Sequence, residues 1–488
     1  MESLIQAQVS HLSVQEDGTV PDVVGMISLK APRMEMSERE SVRIVTVIDV
    51  SASMNDGKLD LVKASIQFIL DQLTPRDSLG IVKFGSDVET VLDLSLMDEI
   101  GKLKAKNALD NIRASGCTNL SGGLLEGLSM IQKSLIKTPK RHTLMLFTDG
   151  IANRGMSTIR EVKRAAEIYV GDQKELYQIF TFGYGIDHDL DMLNSIAEVG
   201  QDGNYYFIKD HESIGPHFAE CLGGILSLVL QNATVTIHPK PHMHVKKVWG
   251  TIKGSSKTSE PITVRIGDLF SEQQKDILCI IGIGLGLEDI TEGESVNLID
   301  CVISYFDVIE QKIISTELSL NLGCSPDETV LNPKVCIQWH RVLTADAIKN
   351  ALSTAKRDLV AARSIINAAI DVLCKQPLPD DDLTPLLIED LYKCLSSMQS
   401  REKYSKGGKY DLYTLGSSHA TQRSTRYTTG TQNDMMDKLK DCEYYQNCVP
   451  SRDQCRRGEY SGVNVFRSST SSSTRSSTRS LSHSKREK

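Results

Sequence analysis

The sequence predicts an α/β domain with a doubly wound, mostly parallel sheet, inserted in or followed by a β-sandwich, then a helical segment and a disordered tail. Two patterns carry this prediction. From about residue 42 to 230, apolar runs of strand length alternate with stretches of helical periodicity, as in parallel sheets that helices cover on both faces. From about residue 232 to 340, strand-like runs follow one another without a helical period, which is typical of an antiparallel sandwich.

The α/β unit is predicted to contain five buried strands and one edge strand. The buried strands are expected at Arg43–Asp49, Leu79–Phe84, Thr143–Thr148, Leu176–Phe182 and Tyr205–Ile208. Val88–Leu94 is expected to be the edge strand, because only a few residues separate it from Phe84. The amphipathic stretches that should form the covering helices are Lys58–Leu73, Ala105–Ala114, Leu120–Ile136, Ser157–Val170 and Asp189–Glu198.

The chain is divided into five predicted segments. Residues 1–41 hold two short strands, Gln6–Val14 and Val23–Leu29, which we expect to pair with the later sandwich. The other segments are the α/β domain at 42–230, the sandwich at 231–340, helices at 341–400 and a mostly disordered tail at 401–488. The last 22 residues contain ten Ser and three Thr among basic residues, and this composition buries too little apolar surface to offset its chain entropy.

Charge is distributed unevenly along the 488 residues. The formal net charge is −8, but residues 401–488 contain 17 Lys and Arg against 9 Asp and Glu, which leaves −16 for residues 1–400. An acidic body repels phosphates, so nucleic-acid binding by the folded part is not expected.

Several features predict a cytoplasmic protein. No stretch approaches the roughly 18–20 uninterrupted apolar residues of a membrane span, and the start lacks the basic and apolar regions of a signal peptide. The eleven cysteines are irregularly spaced, which favours free thiols. A nuclear location is left open by the basic end "SHSKREK".

A cluster of oxygen-bearing side chains follows the first strand of the α/β unit. The strand ends in Asp49-Val-Ser51-Ala-Ser53, and a helix opens near Lys58. This loop lies at the carboxyl end of a strand of an open sheet, near the reversal of strand order, where neighbouring loops separate and ligands bind. The i, i+2, i+4 spacing lets a turning loop aim several oxygens at one point, and hard divalent cations prefer oxygen ligands.

Two more loops in the same topological position supply matching side chains. Thr118 lies in "SGCTNLSGGL", before a helix that Asn119 or Ser121 is able to cap, and Thr148-Asp149-Gly150 follows the strand "TLMLF". The order and intervals of these three motifs resemble the metal-ion-dependent adhesion site of von Willebrand factor type A domains. The resemblance covers roughly residues 42–230.

The resemblance implies a role for each of five residues. Ser51 and Ser53 would bind a metal directly, Thr118 would bind it directly or through water, and Asp49 and Asp149 would act mostly through bridging waters. Neutral hydroxyls then leave the ion electrophilic, and an Asp or Glu of a partner protein would complete its coordination. Mg²⁺ is the expected ion, with Ca²⁺ or Mn²⁺ as alternatives. The competing interpretation is that the Asp and Ser residues only cap helices.

The expected function is therefore metal-dependent protein binding by a module or scaffold, and not catalysis, because no base or nucleophile is placed by a strand–turn–helix signature. The segment order is similar to that of intracellular eukaryotic type A proteins, some of which resemble plant relatives with a RING zinc finger. The β-rich part is similar to inter-alpha-trypsin inhibitor heavy chains, which are secreted. A ubiquitin-ligase component and an extracellular adhesion or matrix protein therefore stay open as alternatives, and so does the oligomeric state.

Overall fold

The computed structural model describes residues 5–11, 22–35, 39–55, 57–137, 140–209, 211–249, 259–283, 295–323, 332–375, 381–424, 426–442 and 446. The strands in these ranges are β1 (Ile5–His11), β2 (Val23–Lys30), β3 (Arg43–Asp49), β4 (Ser78–Phe84), β5 (Val88–Leu96), β6 (His142–Thr148), β7 (Tyr177–Tyr184), β8 (Asn204–Ile208), β9 (Leu228–Pro239), β10 (Met243–Val248), β11 (Ile262–Phe270), β12 (Gln274–Ile283), β13 (Ser295–Asp307) and β14 (Lys312–Gly323).

The helices form two sets, one between the strands of the α/β domain and one after the last strand. Those of the α/β domain are α1 (Lys58–Gln72), α2 (Glu99–Asp110), α3 (Leu120–Leu135), α4 (Ile159–Val170), α5 (Leu190–Ala197) and α6 (His211–Leu226). The later ones are α7 (Pro333–Ala355), α8 (Leu359–Lys375), α9 (Leu383–Ser397), α10 (Arg401–Lys403), α11 (Lys409–Thr421) and α12 (Gly430–Lys440), with a π-turn between α10 and α11.

The α/β domain is built on a six-stranded sheet in the order β5-β4-β3-β6-β7-β8. All neighbours are parallel except β5, which pairs antiparallel with β4 at the edge. Every residue of β3 after Arg43 is buried, because helices pack on both faces, as expected for a parallel sheet. The predicted fold class is confirmed. Since β4 and β6 flank β3, the strand order reverses between β3 and β6, and the loops after these strands lie at one edge.

The sandwich consists of two four-stranded antiparallel sheets, β1-β2-β12-β10 and β11-β9-β13-β14. Apolar side chains from both sheets form its core, among them Ile27, Val235, Ile281 and Ile303. β2 pairs with β12 along its whole length, with Ile27 opposite Ile277. The N-terminal strands therefore belong to the later sandwich, and the α/β domain is inserted between β2 and β9.

The helical segment begins earlier than residue 341, the boundary predicted for it. α7 begins at Pro333, and the Asn332 side chain accepts hydrogen bonds from the backbone N–H groups of Lys334 and Val335. Proline suits this first turn because its missing N–H would have no partner within the helix. Residues 333–340, which were predicted as sandwich, are therefore helical.

The prediction of a mostly disordered tail at 401–488 is wrong for residues 401–442. α11 and α12 are ordered by long-range burial: Tyr410 and Leu412 are fully buried, and Met435 and Leu439 join the core of the α/β domain. Apolar residues are sparse in this sequence, but Tyr410, Leu412, Met435 and Leu439 pack into clusters formed with other segments. The predicted Ser-rich end lies outside the described residues.

In the described part of the chain, no helix is both long and apolar enough to cross a membrane.

Candidate metal centre

Asp49 lies at the base of the candidate site, at the carboxyl end of β3. Its side chain is fully buried. Its Oδ1 accepts a hydrogen bond from the Ser51 backbone N–H at 2.8 Å, and its Oδ2 accepts one from the Thr148 hydroxyl at 2.5 Å. Burial raises the pKa of Asp49 to about 6, and the charge of Asp149 acts in the same direction. These hydrogen bonds fix the orientation of the carboxylate at the base of the loop cluster.

Ser51, Ser53 and Asp149 form a continuous chain of oxygen atoms above Asp49. The two serine Oγ atoms are 3.1 Å apart, and the Ser53 hydroxyl donates to Asp149 Oδ1 at 2.7 Å. Ser51 and Asp149 are buried, whereas Ser53 is exposed. The arrangement therefore has a buried base and a solvent-facing rim.

Thr118 approaches this chain from a third loop. Its backbone N–H donates to the Asn153 side chain at 2.8 Å, which holds the loop against the one that follows β6. A Cβ atom added at Gly150 would lie 3.3 Å from Thr118 Oγ1 and 3.7 Å from Ser53 Oγ. Gly150 therefore keeps open the small space that both hydroxyls border. The structure thus brings together all five residues that the sequence predicted.

Lys58 is a member of this cluster that the sequence reasoning missed. It is the first residue of α1. Its Nζ donates to the Ser53 carbonyl oxygen at 3.1 Å and forms a salt bridge with the Asp149 carboxylate. A single positive charge thus lies against two oxygen atoms of the cluster. The sequence feature that could have identified Lys58 is its position five residues after Ser53, because the first turn of α1 lies beside the loop there.

The residues present fit a hard divalent cation. The donors are hydroxyl and carboxylate oxygens, which Mg²⁺ and Ca²⁺ prefer, and the Lys58 ammonium shows that the cluster accommodates positive charge. Within the described ranges, no group of three or more His, Cys, Asp and Glu side chains is arranged to hold a metal. Hydroxyls would therefore supply much of the coordination at this edge of the sheet.

Comparison with known proteins assigns this part of the chain to a family. The family model described as von Willebrand factor type A domain matches residues 44–219. Residues 44–219 form a von Willebrand factor type A domain. This confirms the predicted resemblance to the type A domain family. Type A domains commonly mediate protein–protein interaction and often bind a divalent metal.

Two kinds of relative share sequence with part of this chain. Inter-alpha-trypsin inhibitor heavy chain H3 of Mus musculus is 32% identical over 159 residues, which is 32% of this chain and 18% of the heavy chain. E3 ubiquitin-protein ligase WAV3 of Arabidopsis thaliana is 24% identical over 251 residues, or 50% of this chain and 31% of the ligase. The matched part thus spans less than a third of either relative.

Solved structures share the architecture beyond the type A domain. A von Willebrand factor type A protein from Catenulispora acidiphila has a TM-score of 0.61 at 16% identity and covers 86% of this chain and 97% of its own. The ArnB paralog VWA2 from Sulfolobus acidocaldarius has a TM-score of 0.51 at 16% identity and covers 86% and 99%. The similarity extends over most of both chains, so the inserted type A domain is part of a larger shared fold.

Proposed function

We propose that this protein is a metal-dependent protein-binding module, in which a divalent cation at the carboxyl edge of the type A sheet bridges to an Asp or Glu of a partner protein. The observation that carries the proposal is the convergence of Asp49, Ser51, Ser53, Thr118 and Asp149 around a position that a lysine ammonium borders. Oxygen atoms from three loops, distant in sequence, are collected there.

Mg²⁺ is the ion we propose, because a small site that keeps several waters suits it, with Ca²⁺ or Mn²⁺ as alternatives. The two serines and Thr118 would supply neutral ligands, and Asp49 and Asp149 would hold the waters of the ion. Since hydroxyls do not neutralise the cation, a carboxylate from outside would be attracted to it.

The surroundings of the site favour binding of a macromolecule. Ser53, Cys117 and Ile151 are exposed around the cluster, and the exposed fraction of Ile151 is 61%. A partner carboxylate therefore has access from solvent, and apolar contact is available beside it. We assign no bond-breaking step to these residues and propose that the protein is not an enzyme.

Mg²⁺ titration of the purified chain tests the proposal. In calorimetry and thermal unfolding, Mg²⁺ should bind the wild type and raise its melting temperature, and Asp49→Asn and Ser51→Ala should lose both effects. Asp110→Asn, at the exposed end of α2, is the matched control and should behave as wild type. Equal Mg²⁺ responses in the wild type and Asp49→Asn would refute the metal site.

A second measurement tests the partner. Proteins captured from a cell extract by the wild type in Mg²⁺ should be released by EDTA and should not be captured by Asp49→Asn. Capture that is indifferent to both EDTA and the substitution would show that partner binding uses another surface.

The similarity to WAV3 over half of this chain favours one second candidate, a component of a ubiquitin-ligase pathway that uses the same site. Ubiquitin transfer by the purified chain with activating and conjugating enzymes would distinguish a ligase from a binding module. An extracellular adhesion or matrix role is the third candidate.

For location, we propose the cytoplasm. The eight cysteines in the described ranges are free thiols, among them the buried Cys221, Cys279, Cys301 and Cys394, as expected in a reducing compartment. Cell fractionation would test this location against an extracellular one.

A further inference from the structure

A cavity of about 330 Å³ lies at the opposite end of the type A sheet, between that domain and the sandwich. Arg43, at the start of β3, and Arg141, just before β6, line it from the type A side. Phe270 and Phe306, from β11 and β13, line it from the sandwich side. Small-molecule sites are often found at such domain junctions, and this volume is at the lower end of their range.

Arg43 is the arginine of this cavity for which the described residues provide no ion pair, whereas Arg39 and Arg141 each have one. Its Nη1 atom is buried and has no hydrogen-bond partner among the described residues. Arg39 makes a two-pronged ion pair with Asp77, at 2.9 and 2.6 Å, and Arg141 forms a salt bridge with Asp268. Carboxylates therefore compensate the charges of Arg39 and Arg141, although two Arg141 nitrogens also have no hydrogen bond, and no described carboxylate forms an ion pair with Arg43.

Among the described residues, no titratable group that lines the cavity forms an ion pair with Arg43. Glu40 accepts a hydrogen bond from Gln311 at 2.8 Å and lies 3.5 Å from the Lys140 ammonium. Glu175 lines the cavity but is exposed to solvent. Burial lowers the pKa of His142 to about 4, and the charge of Arg43 contributes to this, so the imidazole is neutral near pH 7.

Arg43 is half-buried, and a guanidinium with a buried nitrogen that has no partner is stabilised when an anion compensates it. We infer that this cavity is a binding site for a small organic anion, whose carboxylate or phosphate group pairs with Arg43 and whose apolar body packs against Phe270 and Phe306. A guanidinium group binds either anion through two parallel hydrogen bonds. This inference concerns a separate site and does not depend on the proposed metal centre.

The walls distinguish an organic anion from free phosphate. Besides the two phenylalanines, Leu226, Leu228 and Val308 line the cavity. An inorganic ion would leave these apolar groups in contact with trapped water, whereas an apolar body would cover them. We therefore expect an aromatic or aliphatic carboxylate to bind more tightly than inorganic phosphate.

Thermal unfolding and calorimetry with benzoate and inorganic phosphate, at constant ionic strength, test this site on the full chain. Benzoate should raise the melting temperature of the wild type saturably, by about 2–4 °C at tenfold above its dissociation constant. Arg43→Met should lose the shift. Arg43→Lys keeps the positive charge but lacks the planar guanidinium group, so its affinity for benzoate should fall about tenfold. This variant replaces Arg43→Met in the test if Arg43→Met does not fold.

Two control variants separate this site from other effects. Arg160→Met removes an exposed arginine on α4 and should respond to benzoate as the wild type does. Asp49→Asn should also keep the benzoate response, whether or not it binds Mg²⁺. No saturable benzoate shift, or an equal shift in Arg43→Met, would overturn the inference. A phosphate shift larger than that of benzoate would overturn the ligand class.

Discussion

The two ends of strand β3 carry opposite charges. The carboxyl end includes an ion pair, and the charge at the amino end has no ion-pair partner among the described residues. Asp49 at the carboxyl end and Arg43 at the amino end are six residues, or about 20 Å, apart. At the carboxyl end, two buried carboxylates have the Lys58 ammonium beside them, and the rim faces solvent. At the amino end, the sandwich covers a guanidinium group that has a buried atom without a partner. One strand thus presents a site suited to a cation and another suited to an anion.

Two arginines near the amino end of β3 differ in their partners. Arg39 and Arg43 both line the cavity, but only Arg39 has a buried carboxylate opposite it. Asp77 also accepts hydrogen bonds from the backbone N–H groups of Val42 and Thr74, at 2.9 and 2.6 Å. The carboxylate is therefore fully satisfied, and it connects the segment before β3 to the turn before β4. Substitution of Arg39 should therefore lower the free energy of unfolding, whereas substitution of Arg43 should not.

The largest effect is expected from Arg39→Met. Loss of the arginine leaves Asp77 buried with an uncompensated charge, so the free energy of unfolding should fall by about 3–5 kcal/mol. Urea denaturation at pH 7 measures this, with Arg160→Met as the control. A loss below about 1 kcal/mol would show that the backbone hydrogen bonds alone compensate Asp77.

The same pair predicts a pH dependence. Burial acts to raise the pKa of Asp77, but the hydrogen bonds from Arg39 and the two backbone N–H groups, together with the charge of Arg39, outweigh it and lower the pKa. The stabilisation is therefore present above the unfolded-state pKa of about 4 and is lost as pH falls through the lower folded-state value. The difference in unfolding free energy between the wild type and Arg39→Met should shrink below about pH 4.

An intermediate effect is expected at the carboxyl end from Lys58→Met. The substitution removes a charge that repels an incoming cation, so Mg²⁺ affinity measured by calorimetry should rise about tenfold. The melting temperature without metal should fall, because Asp149 loses its ion pair. Lys133→Met is the control, since Lys133 lies about 20 Å along α3 from the site. Weaker Mg²⁺ binding in Lys58→Met would show that the lysine helps to hold the coordinating groups.

The smallest effect is expected from Arg43→Met without any ligand. Removal of a partly buried charge that has no partner should leave the free energy of unfolding unchanged or raise it by up to about 1 kcal/mol. Urea denaturation in chloride buffer measures this difference. A loss of more than about 1 kcal/mol would mean that Arg43 stabilises the domain junction itself, and the contrast with Arg39 would then disappear.

Local patterns were sufficient to predict the type A sheet and the five oxygen-bearing residues. The central strands are mainly apolar. The loops at one edge of the sheet carry Asp49-x-Ser51-x-Ser53, Thr118 and Thr148-Asp149-Gly150, and sequence order together with sheet topology predicts that these side chains lie close together. Lys58 was missed because a lysine at a helix start is usually solvated. Its contact with Asp149 depends on a loop 91 residues away in sequence.

Long-range burial could not be predicted from local patterns. The sequence after Arg401 has weak apolar periodicity, yet the Tyr410 hydroxyl lies 2.9 Å from the carbonyl oxygens of both Ile186 and His188, between which its one proton is shared. Met435 packs into the type A core. The lack of a partner for Arg43 is likewise a property of the assembled junction, because no sequence pattern distinguishes it from Arg39.

The insertion of the type A domain between β2 and β9 has a mechanical consequence. Two chain crossings join it to the sandwich, one entering at β3 and one leaving after α6. A force that a partner applies at the carboxyl edge of the type A sheet would be shared by these two connections, so neither would be extended alone. The domain should consequently resist being drawn away from its support more strongly than a module tethered at one terminus.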